Sequence, residues 1–130
     1  MSTSTEAQTQ TENCPKFGEF GWNELLTKDP AASKNFYTKL FGWKTEPFGA
    51  DYTIWKSADS MAGGMMKMPD APSGWLAYVV VENCDASARK AKELGAKLCV
   101  EPKDIPTVGR IAVFTDPQGA ALGLFQPEKR

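Results

Sequence analysis

Histidine is absent from the whole chain, and no other absence reaches as far into what the protein can do. Imidazole is the most frequent transition-metal ligand and the side chain best suited to general base work near neutral pH. Zinc or iron chemistry and Cys–His nucleophilic catalysis both lose their usual partner. Cysteine is scarce too. Cys14, Cys84 and Cys99 are an odd set without paired spacing, which argues against a disulfide framework and a zinc knuckle. Cys84 and Cys99 are expected as small buried apolar groups and Cys14 as a free thiol. No apolar run approaches the ~20 residues of a membrane-spanning helix. There is no basic run and no aromatic interleaving among clustered cations, so neither a membrane nor a nucleic acid is an expected partner.

The amino end, Met1 to Pro15, is Ser, Thr, Gln and Glu with almost nothing apolar. It lacks the basic start and apolar stretch of a secretory signal and is expected to be a disordered tail over residues 1–15. A length of 130 residues and a net charge of −1 fit one soluble, cytoplasmic domain over residues 16–130.

What the chain does contain is a repeat. Gly21-Trp22 recurs as Gly74-Trp75, Asp29 as Glu82, and Gly42-Trp43-Lys44 as Gly95-Ala96-Lys97, each 53 residues on. Beyond that the offset is 59, with Thr53-Ile54-Trp55 over Ala112-Val113-Phe114 and Gly64-Met65-Met66 over Gly123-Leu124-Phe125. An insertion explains the change. Repeats of this size are too short to bury a core alone, and two copies are expected to build one shared cleft.

Each copy, about residues 17–68 and 74–127, predicts the order βαβββ. Phe17 to Thr27 is an apolar β run that ends at Lys28-Asp29-Pro30, where Asp29 as N-cap and Pro30 at the first helical position start a helix. Ala32, Phe36 and Leu40, joined by Tyr37, form its expected inner face, and Gly42 its left-handed stop. Strands follow over Trp43–Phe48, Tyr52–Ser57 and Gly63–Lys67. After the linker Pro69 to Gly74, the second copy predicts a strand over Trp75–Val81 and a helix over Asp85–Leu94 with Ala88, Ala91 and Leu94 inward. Strands over Lys97–Val100, Gly109–Thr115 and Ala120–Gln126 complete it.

Asp29, Phe36-Tyr37 and Leu40-Phe41-Gly42-Trp43 in the first copy carry a family likeness, with Glu82, Leu94-Gly95, Gly109-Arg110 and Asp116-Pro117-Gln118-Gly119-Ala120 in the second. Over about residues 17–127 the chain resembles the vicinal oxygen chelate superfamily, the glyoxalase, bleomycin-resistance and extradiol-dioxygenase group. The resemblance implies an α+β fold of two βαβββ units forming a curled, open-barrel mixed sheet with helices outside, a ligand cavity between them, and a homodimer. It also implies a divalent metal held by His or Glu near the start of the first strand and on the last strand of each unit. Those positions fall near Trp22, Gly64, Trp75 and Gly123, none of which binds metal. A placement one residue off brings in only Asn23 and Leu76. No cofactor and no metal are therefore expected. An oxygen-only magnesium or manganese site would need Glu24 and Asp51 to converge.

Strand alternation then decides what replaces the metal. If Trp22 points into the curled sheet, Glu24 and Leu26 share its face and Asn23 and Leu25 turn toward the helix. The same phase sends Trp75 inward, and Trp55, Met65 and Phe114 extend the apolar wall. Glu24 is the one acid placed inside, as a polar anchor or a catalytic base; its structural alternative is a pairing with Arg110, Lys56 or a tyrosine hydroxyl. Arg110 is the candidate for an anionic ligand group, with Tyr52 and Tyr78 as further polar candidates. The expected function is metal-free binding of a small, partly apolar molecule. The alternatives are a lyase, isomerase or dioxygenase using unusual metal ligands or Glu24 as base, and an interaction protein whose cavity is filled by its own tryptophans.

Overall fold

A computed structural model of the chain describes residues 15–70 and 72–128; most of the expected tail lies outside the described residues. The predicted order is found. The first repeat gives β1 (Phe20–Thr27), α1 (Pro30–Phe41), β2 (Lys44–Phe48), β3 (Tyr52–Ser57) and β4 (Ser60–Lys67). The second gives β5 (Gly74–Val80), α2 (Cys84–Glu93), β6 (Lys97–Ile105), β7 (Gly109–Thr115) and β8 (Ala121–Pro127). Strands run β2-β3-β4-β1 in one repeat and β5-β8-β7-β6 in the other. Only β1–β4 and β5–β8 are parallel within them, because a helical crossover precedes each repeat's three-strand meander.

The chain packs as two compact units, one of Trp22–Ala77 and one of the described residues before Trp22 with those from Tyr78 on. The exchange of short pieces has a backbone cause in the second unit, where Val80 donates to Glu19 O at 2.8 Å and Gly18 donates to Val80 O at 2.7 Å.

Asp29 caps α1 by accepting from Ala32 N at 3.1 Å, and Gly42 closes it at φ 75°. In the second repeat the cap is Asn83, accepting from Ala86 N at 3.0 Å, and not Glu82, which is exposed. Asp29 and Asn83 are 54 residues apart. The strand register agrees: Glu24 lies beside Gly64 and Tyr78 beside Gly123, again 54 against 59. The span from N-cap to left-handed glycine is one residue shorter in the second repeat, so the helix-end match at 53 hid a slip upstream. One residue turns every strand side chain to the other face. The counterpart of Trp22 is Leu76, not Trp75.

Each unit buries an apolar cluster under its helix. In the first, Leu25, Trp55 and Met65 are packed by Tyr37, Trp43 and Ala62; in the second, Cys84, Ala88, Ala112 and Leu124 by Val81, Leu98 and Phe114. The face of α1 is turned by about one residue from expectation. Ser33 Oγ lies 2.9 Å from Thr27 Oγ1, which brings Ser33 and Tyr37 to the sheet and leaves Phe36, Leu40 and Phe41 more than half exposed. In α2, Ala88 is buried as expected, beside Cys84, while Leu94, which caps the helix end, is 69% exposed. Cys99, expected inside, is exposed. Cys84 is buried as expected, and burial pushes its thiol up to about 11, with Asp85 adding to the shift.

Candidate ligand-binding site

Alternation along β1 sets Trp22, Glu24 and Leu26 on the face away from α1, and the register carries that face across to Tyr52, Ile54 and Met66. There the Trp22 Nε1–H donates to the Tyr52 hydroxyl at 3.0 Å, and that hydroxyl donates to Glu24 Oε1 at 2.8 Å. An indole, a phenol and a carboxylate thus form one polar chain on this face. Glu24 is 7% exposed. Burial first, and then the adjacent Glu24 charge, push the Tyr52 hydroxyl well above the usual phenol range, with the Trp22 hydrogen bond opposing. Tyr52 therefore stays a neutral donor, and Glu24 has the tyrosine partner that was one of its expected alternatives. Beside them Lys56 pairs with Glu46 at 3.2 Å and Phe48 meets Tyr52 edge to face.

Gly64 is what allows this arrangement. A Cβ there would run into the Tyr52 hydroxyl and ring, so the phenol lies in the space a side chain on β4 would take. The second unit repeats the device, since a Cβ on Gly123 would run into the Tyr78 ring. Both last-strand glycines are roofed by a tyrosine. Sequence reasoning named both tyrosines as minor candidates; the signal it lacked was the β3–β4 register, which puts Tyr52 across from Met66.

Of the expected site residues, Trp22 and Glu24 come together, joined by Tyr52, one of the further polar candidates. Trp55 and Met65 lie on the opposite face, buried under α1 with Leu25, because odd positions of β3 and β4 share the face of Leu25. Trp75 turns the same way. Its indole donates to the Tyr37 hydroxyl at 3.2 Å and sits edge-on to Tyr37, with Trp43 6.4 Å away. Phe114 packs under α2. Arg110 is also on the helix side, held by Asp85 through two hydrogen bonds of 3.1 Å and by Asp104 at 2.9 Å. These carboxylates, the Asp85 hydrogen bonds foremost, raise the guanidinium further above its ordinary range. Two acids already neutralise the group expected to meet an anion.

A metal of the kind the family likeness implies does not fit these residues. The last-strand positions carry no side chain, and the room above them is taken by Tyr52 and Tyr78. Among the described residues no group of three or more His, Cys, Asp or Glu could hold a metal ion.

Residues 19–124 match the Glyoxalase/Bleomycin resistance protein/Dioxygenase superfamily, and the chain belongs to it. It is similar to a Mycobacterium tuberculosis protein named "Putative glyoxylase CFP32", 40% identical over 116 residues, covering 85% of this chain and 44% of that protein. It is also similar to the anthracycline biosynthesis protein DnrV of Streptomyces peucetius, 28% identical over 129 residues, covering 84% of this chain and 47% of that one. The chain thus spans less than half the length of these relatives. Among solved structures, an extradiol ring-cleaving dioxygenase from B. fuscum superposes with a TM-score of 0.64 at 20% identity, covering 88% of this chain and 34% of that one. The Mn(II)-bound glyoxalase of Novosphingobium aromaticivorans does so at 0.61 and 18%, covering 88% and 42%. The fold is that of the vicinal oxygen chelate superfamily.

Proposed function

We propose that the chain is a metal-independent binding domain of this superfamily that holds a small, flat, partly apolar molecule against the sheet face carrying Trp22, Tyr52 and Glu24. The observation that carries the reading is the tyrosine lying over Gly64: a phenol hydrogen-bonded to a carboxylate and an indole stands where a metal ligand would project. Trp22 supplies a stacking surface, Leu26, Ile54 and Met66 an apolar floor, and Glu24 a carboxyl group for a hydrogen bond to a ligand hydroxyl or amine. Relatives named for glyoxylase activity and for anthracycline biosynthesis support a small organic ligand. A flat phenol such as 1-naphthol is expected to quench tryptophan fluorescence equally with and without a chelator, and Glu24→Gln to weaken binding about tenfold or more, the scale of one charge-assisted hydrogen bond. Quenching abolished by the chelator would overturn the reading.

The enzyme alternative keeps one specific observation, the 2.8 Å hydrogen bond from Tyr52 to Glu24. A neutral phenol beside a buried carboxylate could pass a proton to a ligand oxygen while Glu24 takes one from carbon. Turnover of a 2-oxoaldehyde conjugate abolished by Glu24→Gln and Tyr52→Phe alike, in chelator, would favour it.

A further inference from the structure

A cleft in the second unit shares no residue with the site above. It has a volume of about 370 Å³ and lies where the β6–β7 hairpin meets the end of β8, a size at the small end of ligand sites. The strand register sets Asp104 beside Arg110 and Arg110 beside Gln126. These three polar side chains form a row on the α2 side of the sheet, and Glu128 is fixed next to them by its backbone, which donates to Val108 O at 3.0 Å. Ile105, Pro106 and Pro127 supply an apolar wall. Thr107, at the hairpin tip, lines the cleft with φ 65°, a left-handed conformation that a β-branched residue enters only at a cost, and such strain clusters at binding and catalytic sites.

The polar groups of the cleft are unevenly matched. Arg110 is already held by two bonds of 3.1 Å to Asp85 and one of 2.9 Å to Asp104, and Gln126 Oε1 is taken by Cys84 N at 2.8 Å. The Glu128 carboxylate has no ion pair and no hydrogen bond among the described residues, and Asp104 accepts through one oxygen only. With Asp85, three carboxylates stand against one guanidinium at this end of the unit. Unmatched acceptors and an excess of negative charge call for a donor that carries positive charge. The apolar wall calls for an organic one.

We propose that this cleft binds a small organic amine, its ammonium group donating to Asp104 and Glu128 and its apolar part resting on Ile105, Pro106 and Pro127. Benzylamine and benzyl alcohol, matched in shape and differing in charge near neutral pH, test it by titration of the full chain at low ionic strength while the amide signals of Thr107, Gly109 and Glu128 are followed by NMR. Benzylamine is expected to move these signals in a saturable way and to bind about tenfold more tightly than the alcohol, the factor one charge-assisted hydrogen bond supplies. Glu128→Gln, which keeps the size of the side chain, should erase most of that preference. Glu101→Gln, at an exposed acid of β6 outside the cleft, should leave it unchanged, which a diffuse attraction of cations to acidic surface would not do. Glu24→Gln should leave it unchanged as well, so the result stands apart from the site on β1. Lys129 and Arg130 follow Glu128 and lie outside the described residues; replacing both by Gln removes two competing cations and should not weaken benzylamine binding. Equal binding of the two probes, or equal losses on Glu101→Gln and Glu128→Gln, would overturn the proposal.

Discussion

Tyr52 and Gly64 show how one missing side chain sets the chemistry of a face. The glycine leaves room for the phenol, and the phenol joins Trp22 to Glu24. Gly64→Ala should therefore cost about 1–3 kcal/mol, the range for overpacking a filled site, and chemical denaturation would measure it. Part of that loss should return in the Gly64→Ala, Tyr52→Ser double variant, because the methyl then meets no ring. The raised Tyr52 hydroxyl has a pH consequence. Below about pH 10 the phenol is neutral in folded and unfolded chains alike. Above it the unfolded chain, with its ordinary value of 10.0, gives up the proton first, so stability falls as pH rises. Denaturation midpoints between pH 9 and 11 should drop more steeply for the native chain than for Tyr52→Phe; identical slopes would place Tyr52 in an ordinary, solvated setting.

Among the elements, α1 is the one whose inner face was misjudged, and the error is instructive. Ala32, Phe36 and Leu40 make an apolar line by spacing, yet Ser33 and Tyr37 make the same spacing one residue on, and a polar contact from Ser33 to Thr27 chose between them. Hydrophobic periodicity cannot see that contact. Leu40→Ser should change stability by less than about 0.5 kcal/mol, as for ordinary exposed positions, while Trp55→Ala should cost about 3–5 kcal/mol for emptying the core. The reverse ranking in thermal melts would restore the expected face. The β1 and β5 strands were legible as strands, and their phase in β1 was right: Trp22 and Glu24 do share a face. In β5 the phase failed because Gly74-Trp75 imitates Gly21-Trp22 in letters while the hydrogen-bonded register lies one residue further on. Trp55, Met65 and Phe114 failed for a related reason, since their phase within their own strands was assumed from β1 rather than fixed by pairing.

For the whole molecule, the sequence carried the repeat, the βαβββ order and the family, because caps, left-handed glycines and strand runs are local signals. The site was less legible. Its polar chain depends on Tyr52 reaching across two strands, and its most telling residue, Gly64, contributes by having no side chain. The absence of histidine and the tyrosine roofs over Gly64 and Gly123 support the proposed metal-independent reading. Elemental analysis of the protein after incubation with manganese, zinc, nickel and iron and removal of free ion tests this most directly. The account predicts metal far below stoichiometry in the native chain and in Glu24→Gln alike; about one metal per chain, the occupancy of a true site, lost on Glu24→Gln, would contradict it.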